Sequence, residues 1–388
     1  MPASPSTARA INDRLALRLL QSEGPLTAGQ LKELTGLSRP SVADLVERLQ
    51  GAGLITVVGE AGERRRGPNA RLYGIVADRA HLAALDVRTE GVSVAVADLL
   101  GEKLAEASLP IGGTTRTGSA VERAVALVER TARAGGATRL HTVGVGAPGL
   151  IDPATGDLRD SAGLPAWHRR LVAALTDRLP ARVLVENETN LAARAEQRGG
   201  AAHDRDTFVL LWLGAGTGAA VVLDGALRRG ASGGTGEIGF LPVPGTGGLP
   251  SATACDGGFH SLAGSGAVAD LAAEHGIKAE PGAGELAAAA LVREAVDAGH
   301  APFLDALADR VAIGVASVAA VLDPGCVILG GELGREGGAA LAGRVAERVA
   351  AMSPLRTEVR ASALGGAAVL RGALLTARDA AQEEIFRT

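Results

Sequence analysis

The sequence predicts an α/β protein in two parts, a small N-terminal winged helix-turn-helix followed by a larger two-lobed α/β body. Three observations predict it. Apolar residues recur at helical spacing in three short segments before residue 51, separated by glycine turns. Two apolar runs then flank a polar, arginine-bearing stretch. From residue 82 onward, strand-like apolar runs alternate with helical segments, an order that builds an α/β core.

In the head, Ile11, Leu15, Leu19 and Leu20 mark a first helix that Gly24-Pro25 ends. Thr27 with Gln30 forms a capping box for a second helix, whose buried face is expected at Leu31 and Leu34. Gly36 makes the turn. Ser38 caps a third helix, with Pro40 in its first turn and Val42, Leu45, Val46 and Leu49 as its apolar stripe. Leu54 to Val58 and Ala70 to Ile75 read as a hairpin whose polar turn, 60–69, carries Arg64, Arg65 and Arg66. Two short helices across a glycine turn, with a hairpin after them, form a winged helix-turn-helix. Its third helix would enter the major groove of double-stranded operator DNA. Ser38, Arg39 and Ser41 stand at that helix's leading end as donors to bases or phosphates. The wing arginines suit phosphates or a narrow minor groove.

Charge agrees weakly with this division. Residues 1–80 hold 11 Lys and Arg against 8 Asp and Glu, and the remainder 28 against 35. A mildly basic head on an acidic body is compatible with contact to DNA through the head. The 388 residues are 47% hydrophobic but only 2% aromatic, so Ala, Val and Leu must build the cores. No apolar run is long and charge-free enough to span a bilayer, and Met1 to Thr7 has no apolar leader core, so a cytoplasmic protein without membrane contact is expected. Cys255 and Cys326 are too few for a disulfide framework or a cysteine-rich metal site.

In the body, Leu82 to Val87 and Gly91 to Ala97 read as a strand pair, followed by a helix from about Ser119 to Ala134. Val143 to Asp152 is a strand and turn rich in glycine. Arg182 to Glu186 is a strand that leads into Asn187-Glu188-Thr189-Asn190, with a helix starting near Asn190. Leu210 to Val222 holds the glycine hairpin Gly214 to Gly218 between two strands, and Asp323 to Gly331 is a buried strand ending in a glycine pair.

The order and spacing of Val143–Asp152, Val185–Glu196, Leu213–Gly218, Gly225–Gly239 and Leu329-Gly330-Gly331 resemble the ROK family, bacterial repressors and sugar kinases with an actin-like ATPase fold. The resemblance implies domains at 1–80 and 81–388, the latter a sugar-kinase-like effector-binding and oligomerisation domain with its cleft near 145–240. It also implies that the family's active site is altered here at several points together. The phosphate hairpin reads Asp86-Val87-Arg88-Thr89-Glu90-Gly91, with side chains where a glycine pair allows phosphate to approach the backbone. The pair that holds the family's general base reads Asn187-Glu188, and a glutamate in place of the aspartate moves the carboxylate one methylene outward. The sugar-gripping pattern reads Gly236-Glu237-Ile238-Gly239-Phe240, with phenylalanine in place of a histidine that serves zinc and sugar. The zinc motif is matched by residues 252–261, which keep one cysteine, Cys255.

The resemblance therefore implies a non-catalytic ligand domain without metal or cofactor. Gly149, Asn187, Glu188 and Glu237 would line the effector site, for a sugar or sugar derivative. The resemblance further implies a homodimer or homotetramer on DNA, acting as a repressor. Two other readings stand beside it, an active sugar kinase with an appended DNA-binding domain and a DNA-binding dimer that takes no ligand.

Overall fold

A computed structural model describes residues 5–61, 70–112, 115–159, 165–251, 257–282 and 285–387. The head comprises α1 (Pro5–Glu23), β1 (Leu26–Thr27), α2 (Ala28–Thr35), α3 (Arg39–Gly51), β2 (Ile55–Ala61) and β3 (Ala70–Ile75). Its three strands form one antiparallel sheet in the order β1-β3-β2. Thr27 accepts from the Gln30 amide while Gln30 accepts from the Thr27 amide, which completes the capping box. Gly36 takes the left-handed conformation that the turn into α3 needs.

The buried faces of the first two helices differ from the apolar spacing. On α1 the buried residues are Asp13, Ala16, Leu17 and Leu20, while Ile11 and Leu15 face solvent. The physical reason is a polar partner: Arg48 on α3 reaches Asp13 at 2.6 Å and turns that side of α1 inward. On α2, Leu31 is buried and Leu34 is exposed. The wing strand runs three residues past Val58, to Ala61.

The body holds two five-stranded sheets. The first, in the order β6-β5-β4-β7-β8, uses β4 (His81–Arg88), β5 (Gly91–Asp98), β6 (Lys103–Pro110), β7 (Leu140–Ala147) and β8 (Arg182–Asn187). Strands β4, β7 and β8 run parallel, and β5 and β6 return antiparallel. Helices α4 (Thr117–Ala134) and α5 (Trp167–Arg178) share a core with one face of this sheet. The central strand β4 is buried on both faces, which explains its unbroken apolar run.

Next come α6 (Glu188–Gly199) and the second sheet, in the order β11-β10-β9-β12-β13. Its strands are β9 (Phe208–Leu213), β10 (Thr217–Leu223), β11 (Ala226–Arg228), β12 (Cys326–Gly330) and β13 (Glu358–Ala361). Helices α7 (His260–Ala263), α8 (Ser265–Glu274), α9 (Ala287–Asp297), α10 (Ala301–Leu322) and α11 (Gly331–Met352) come from the same half of the chain, and α8 to α11 pack into one core with this sheet. The chain closes with α12 (Ala368–Ile385).

Between the sheets, α6 and α12 form a middle layer. Leu191, Ala192 and Ala193 of α6 meet Ala368, Val369 and Ala373 of α12, with Ala84 from one sheet and Leu210 and Ile328 from the other. Gly372 sets the spacing, since a β-carbon there would stand 2.0 Å from the carbonyl oxygen of Leu191. Gly372→Ala should therefore cost about 1–3 kcal/mol or more, through forced separation of the helices. Gly343→Ala on the exposed side of α11, where an added methyl meets nothing, should be neutral or stabilising by up to about 1 kcal/mol. Urea unfolding of both variants checks the contrast. Equal stabilities would show that the helices relax apart freely.

Candidate functional site

At the leading end of α3, the Ser38 side chain accepts from the Ser41 amide, and the two hydroxyls lie 2.8 Å apart. Arg39 is the first residue of the helix and, like both serines, is exposed. Its guanidinium has no partner among the described residues, so its donors stay available to an acceptor outside the chain. Arg64, Arg65 and Arg66 lie outside the described residues.

Gly149, Asn187, Glu188 and Glu237 all line one cavity of about 1050 Å³ between the two sheets. Gly149 sits after β7 with φ +111°. It holds Asn187, whose side-chain nitrogen donates to the Gly149 carbonyl at 3.1 Å. The other end of that amide caps α6, accepting from the Thr189 and Asn190 amides. The helix thus begins at Glu188, two residues earlier than the sequence predicts, because Asn187 itself is the cap. Both ends of Asn187 are already engaged, so it shapes the cavity wall.

Glu188 and Glu237 are different. The Oε2 of Glu188 is buried without a partner among the described residues. Burial pushes its carboxyl up to about 8, and the nearby carboxylates Asp86, Glu332 and Glu237 add to the rise. The shift favours the neutral carboxylic acid, which can donate as well as accept. Burial also raises the Glu237 carboxyl. Phe240 adds a half-exposed aromatic face to the same wall.

The β4–β5 hairpin closes the cavity from the other side. Arg88 folds back onto Asp86, with Nε and Nη2 at 2.9 and 2.7 Å from Oδ2. Its Nη1 crosses to Glu332 at the start of α11, 2.9 Å away. Burial opposes the charge on Arg88, but Asp86 and then Glu332 outweigh it and raise its pKa. The guanidinium is thus already neutralised where the family resemblance sets nucleotide phosphates. Asp86 is 4% exposed, and its Oδ1 has no partner among the described residues. Sequence reasoning singled out Arg88 but missed Glu332. The only local signal was an acid directly after the Gly330-Gly331 pair.

The family's zinc does not fit this chain. Phe240 offers no donor where the pattern needs a histidine, and Cys255 lies outside the described residues. Among the described residues no group of three or more His, Cys, Asp or Glu is arranged to hold a metal. Among them too, no helix is long and apolar enough to cross a membrane.

A winged head joined to two sheets with a cleft between them defines a two-domain protein with an actin-like body. The chain belongs to the ROK family, whose model matches residues 82–380, and a MarR family model matches 11–66. It is similar to the DNA-binding transcriptional dual regulator NagC of Escherichia coli K12, 26% identical over 243 residues. That alignment covers 61% of this chain and 58% of NagC, so the match spans little more than half of that relative. Among solved structures, a ROK family transcriptional regulator described as a homolog of the E. coli MLC protein superposes with a TM-score of 0.75 at 20% identity, over 98% of both chains. A ROK family glucokinase from Streptomyces griseus, in complex with glucose and AMPPNP, superposes with a TM-score of 0.65 at 24% identity. That match covers 77% of this chain and all of the kinase. These likenesses establish the fold, which regulators and kinases share.

Glu188 also makes a pH prediction. Its pKa in the folded chain stands above the ordinary 4.5, so the folded state binds the extra proton. Stability contributed this way is present at low pH and is lost as pH rises from about 4.5 to about 8. Glu188→Gln removes the titration, so the melting temperature of the variant relative to wild type should climb across that window. Thermal melts at a series of pH values check it. A constant difference between the two proteins would mean that Glu188 ionises normally.

Proposed function

We propose that the chain is a DNA-binding transcriptional regulator, a repressor, controlled by a small effector in a cleft that no longer phosphorylates it. The observation that carries this reading is the head. An exposed helix end bearing Ser38, Arg39 and Ser41, with a guanidinium that has no partner among the described residues, stands beside a two-stranded wing. That is the arrangement that presents donors to a major groove. Arg64, Arg65 and Arg66, which the sequence sets between the two wing strands, would add phosphate contacts. The names of relatives agree: NagC is a transcriptional regulator, and others are an N-acetylglucosamine repressor and a xylose repressor.

The kinase reading is disfavoured by two features. Arg88 and Glu332 satisfy each other across the cleft, so phosphate has to compete with carboxylates for the guanidinium. Glu188, in the position of the family's base, carries its carboxyl one methylene further out than the aspartate of the family pattern, which misplaces it for a reaction that depends on positioning. The effector is a sugar or sugar derivative held by Glu188 and Glu237, with Gly149 and Asn187 shaping the wall. Phe240 favours an apolar face on it, as in a deoxy or acylated sugar. The working form is a cytoplasmic homodimer or homotetramer, whose paired heads read a pseudo-palindrome.

The test is to map the genomic sites bound by the full chain and titrate them with and without N-acetylglucosamine, glucose and xylose. Arg39→Ala should lose about 1–3 kcal/mol of discrimination at one base pair. Neutralising Arg64, Arg65 and Arg66 should weaken all sequences and flatten the salt dependence. Glu237→Ala should abolish the effector response and leave effector-free binding intact. A chain lacking residues 1–80 that binds as well as wild type would overturn the DNA assignment. An effector response unchanged in Glu237→Ala would move the effector site elsewhere.

A further inference from the structure

Helix α12 is 18 residues long, about 27 Å at 1.5 Å per residue, and its two halves belong to different cores. Ala368, Val369 and Ala373 lie in the layer between the two sheets. Ala377 and Ala381, with Phe386 just beyond the helix, share a core with Ala16, Leu17 and Leu20 of α1 in the head.

The cleft half is seated on backbone. Besides Gly372 under Leu191, Gly144 of β7 would bring a β-carbon within 2.3 Å of the Ala373 carbonyl oxygen, and Gly146 within 2.7 Å of Val369. Strand β7 leads to Gly149, and α6 begins at Glu188, so both segments that carry the cleft's residues bear directly on α12. At Gly144 and Gly372 a shift cannot be absorbed by a change of rotamer, because backbone faces backbone there, while at Gly146 the strand meets the Val369 and Leu191 side chains. Farther along, Asp379 accepts from Arg194 and Arg198 of α6, at 2.7 and 3.2 Å.

One turn beyond Asp379 stands Gln382, 8% exposed. Its side-chain nitrogen donates to the Gln21 side chain on α1 at 2.6 Å and to the Leu99 carbonyl at 2.8 Å, which uses both of its protons. Helix α1 holds α3 in turn through Asp13 and Arg48. A continuous set of packed and hydrogen-bonded groups thus runs from the floor of the cleft to the helix that carries Arg39.

We infer that α12 couples the cleft to the head, with Gln382 as the positioning residue through which it grips α1. This rests on the reading of the chain as an effector-controlled regulator and names how that control travels. Spatial continuity does not measure coupling, so the test perturbs one end and reads the other.

The experiment is hydrogen–deuterium exchange on the full-length wild type, Gln21→Ala and Gln382→Leu, without ligand or DNA. Gln21→Ala removes one acceptor from a half-buried site and leaves Gln382 its bond to Leu99, so this variant keeps the fold, as a cooperative melt verifies. Leu34→Ala, an exposed change in the same head, is the control. Exchange should rise several-fold in Gln21→Ala and Gln382→Leu, both in α1 and in residues 188–192 and 147–151 at the cleft, and should stay at the wild-type level at the cleft in Leu34→Ala. Changes confined to the head, the end of α12 and the Leu99 turn in Gln21→Ala would overturn the inference. A wild type that fails to bind duplex DNA would instead sink the regulator reading, and the exchange comparison would still decide whether α12 couples the two ends.

Discussion

The contact of Leu191 with Gly372 is the constraint on which the rest of the body depends. It lets α6 and α12 lie backbone to backbone between the sheets, so a single layer of two helices serves both halves. Once that layer is thin, the ends of β7 and β8 and the hairpin of β9 and β10 come close enough to enclose one cavity. Alanine is the commonest residue in this layer, beside leucine, valine and isoleucine and the fully buried Phe208. The scarcity of aromatic residues in the sequence is the compositional sign of this packing.

Charge is arranged around the same layer in two ways. At the far end of α6, Glu196 is fully buried, yet it accepts from the amides of Ala201, Ala363 and Leu364 as well as from Ser362. That carboxylate is satisfied and ties α6 to the loop before α12. At the near end, Glu188 Oε2 and Asp86 Oδ1 are buried and unpartnered among the described residues. An unmade hydrogen bond in such a place costs stability unless a ligand completes it. Glu188 and Asp86 thus leave two unsatisfied carboxyl oxygens at the cleft, while Glu196 at the other end of α6 is fully partnered.

Much of this was legible in the sequence where local chemistry decides. Thr27 with Gln30 and Ser38 with Ser41 follow from capping rules, and the hairpin 214–218 follows from glycine between two apolar runs. Where a distant partner decides, spacing misled. Ile11 and Leu15 fit a helical stripe but face solvent, because Arg48, 35 residues from Asp13, turns the other side of α1 inward. Leu34 also fits the spacing and is exposed. At the cleft, resemblance brought Gly149, Asn187, Glu188 and Glu237 to one cavity, where Asn187 spends its amide on capping α6 and on the Gly149 carbonyl. Glu332 was invisible for a plainer reason, since its partner Arg88 is 244 residues away.

The proposed loss of kinase activity rests in part on that ion pair. In a kinase the hairpin after β4 must offer backbone amides to phosphate. Here it offers a guanidinium already held by Asp86 and Glu332, an ion pair that links the two halves of the body. The account therefore turns on whether nucleotide binds. Calorimetric titration of the full chain with magnesium ATP, with and without N-acetylglucosamine, tests it most directly. The account predicts no saturable binding in the millimolar range and no phosphorylated sugar. Binding in the micromolar range with transfer of phosphate to the sugar would contradict it.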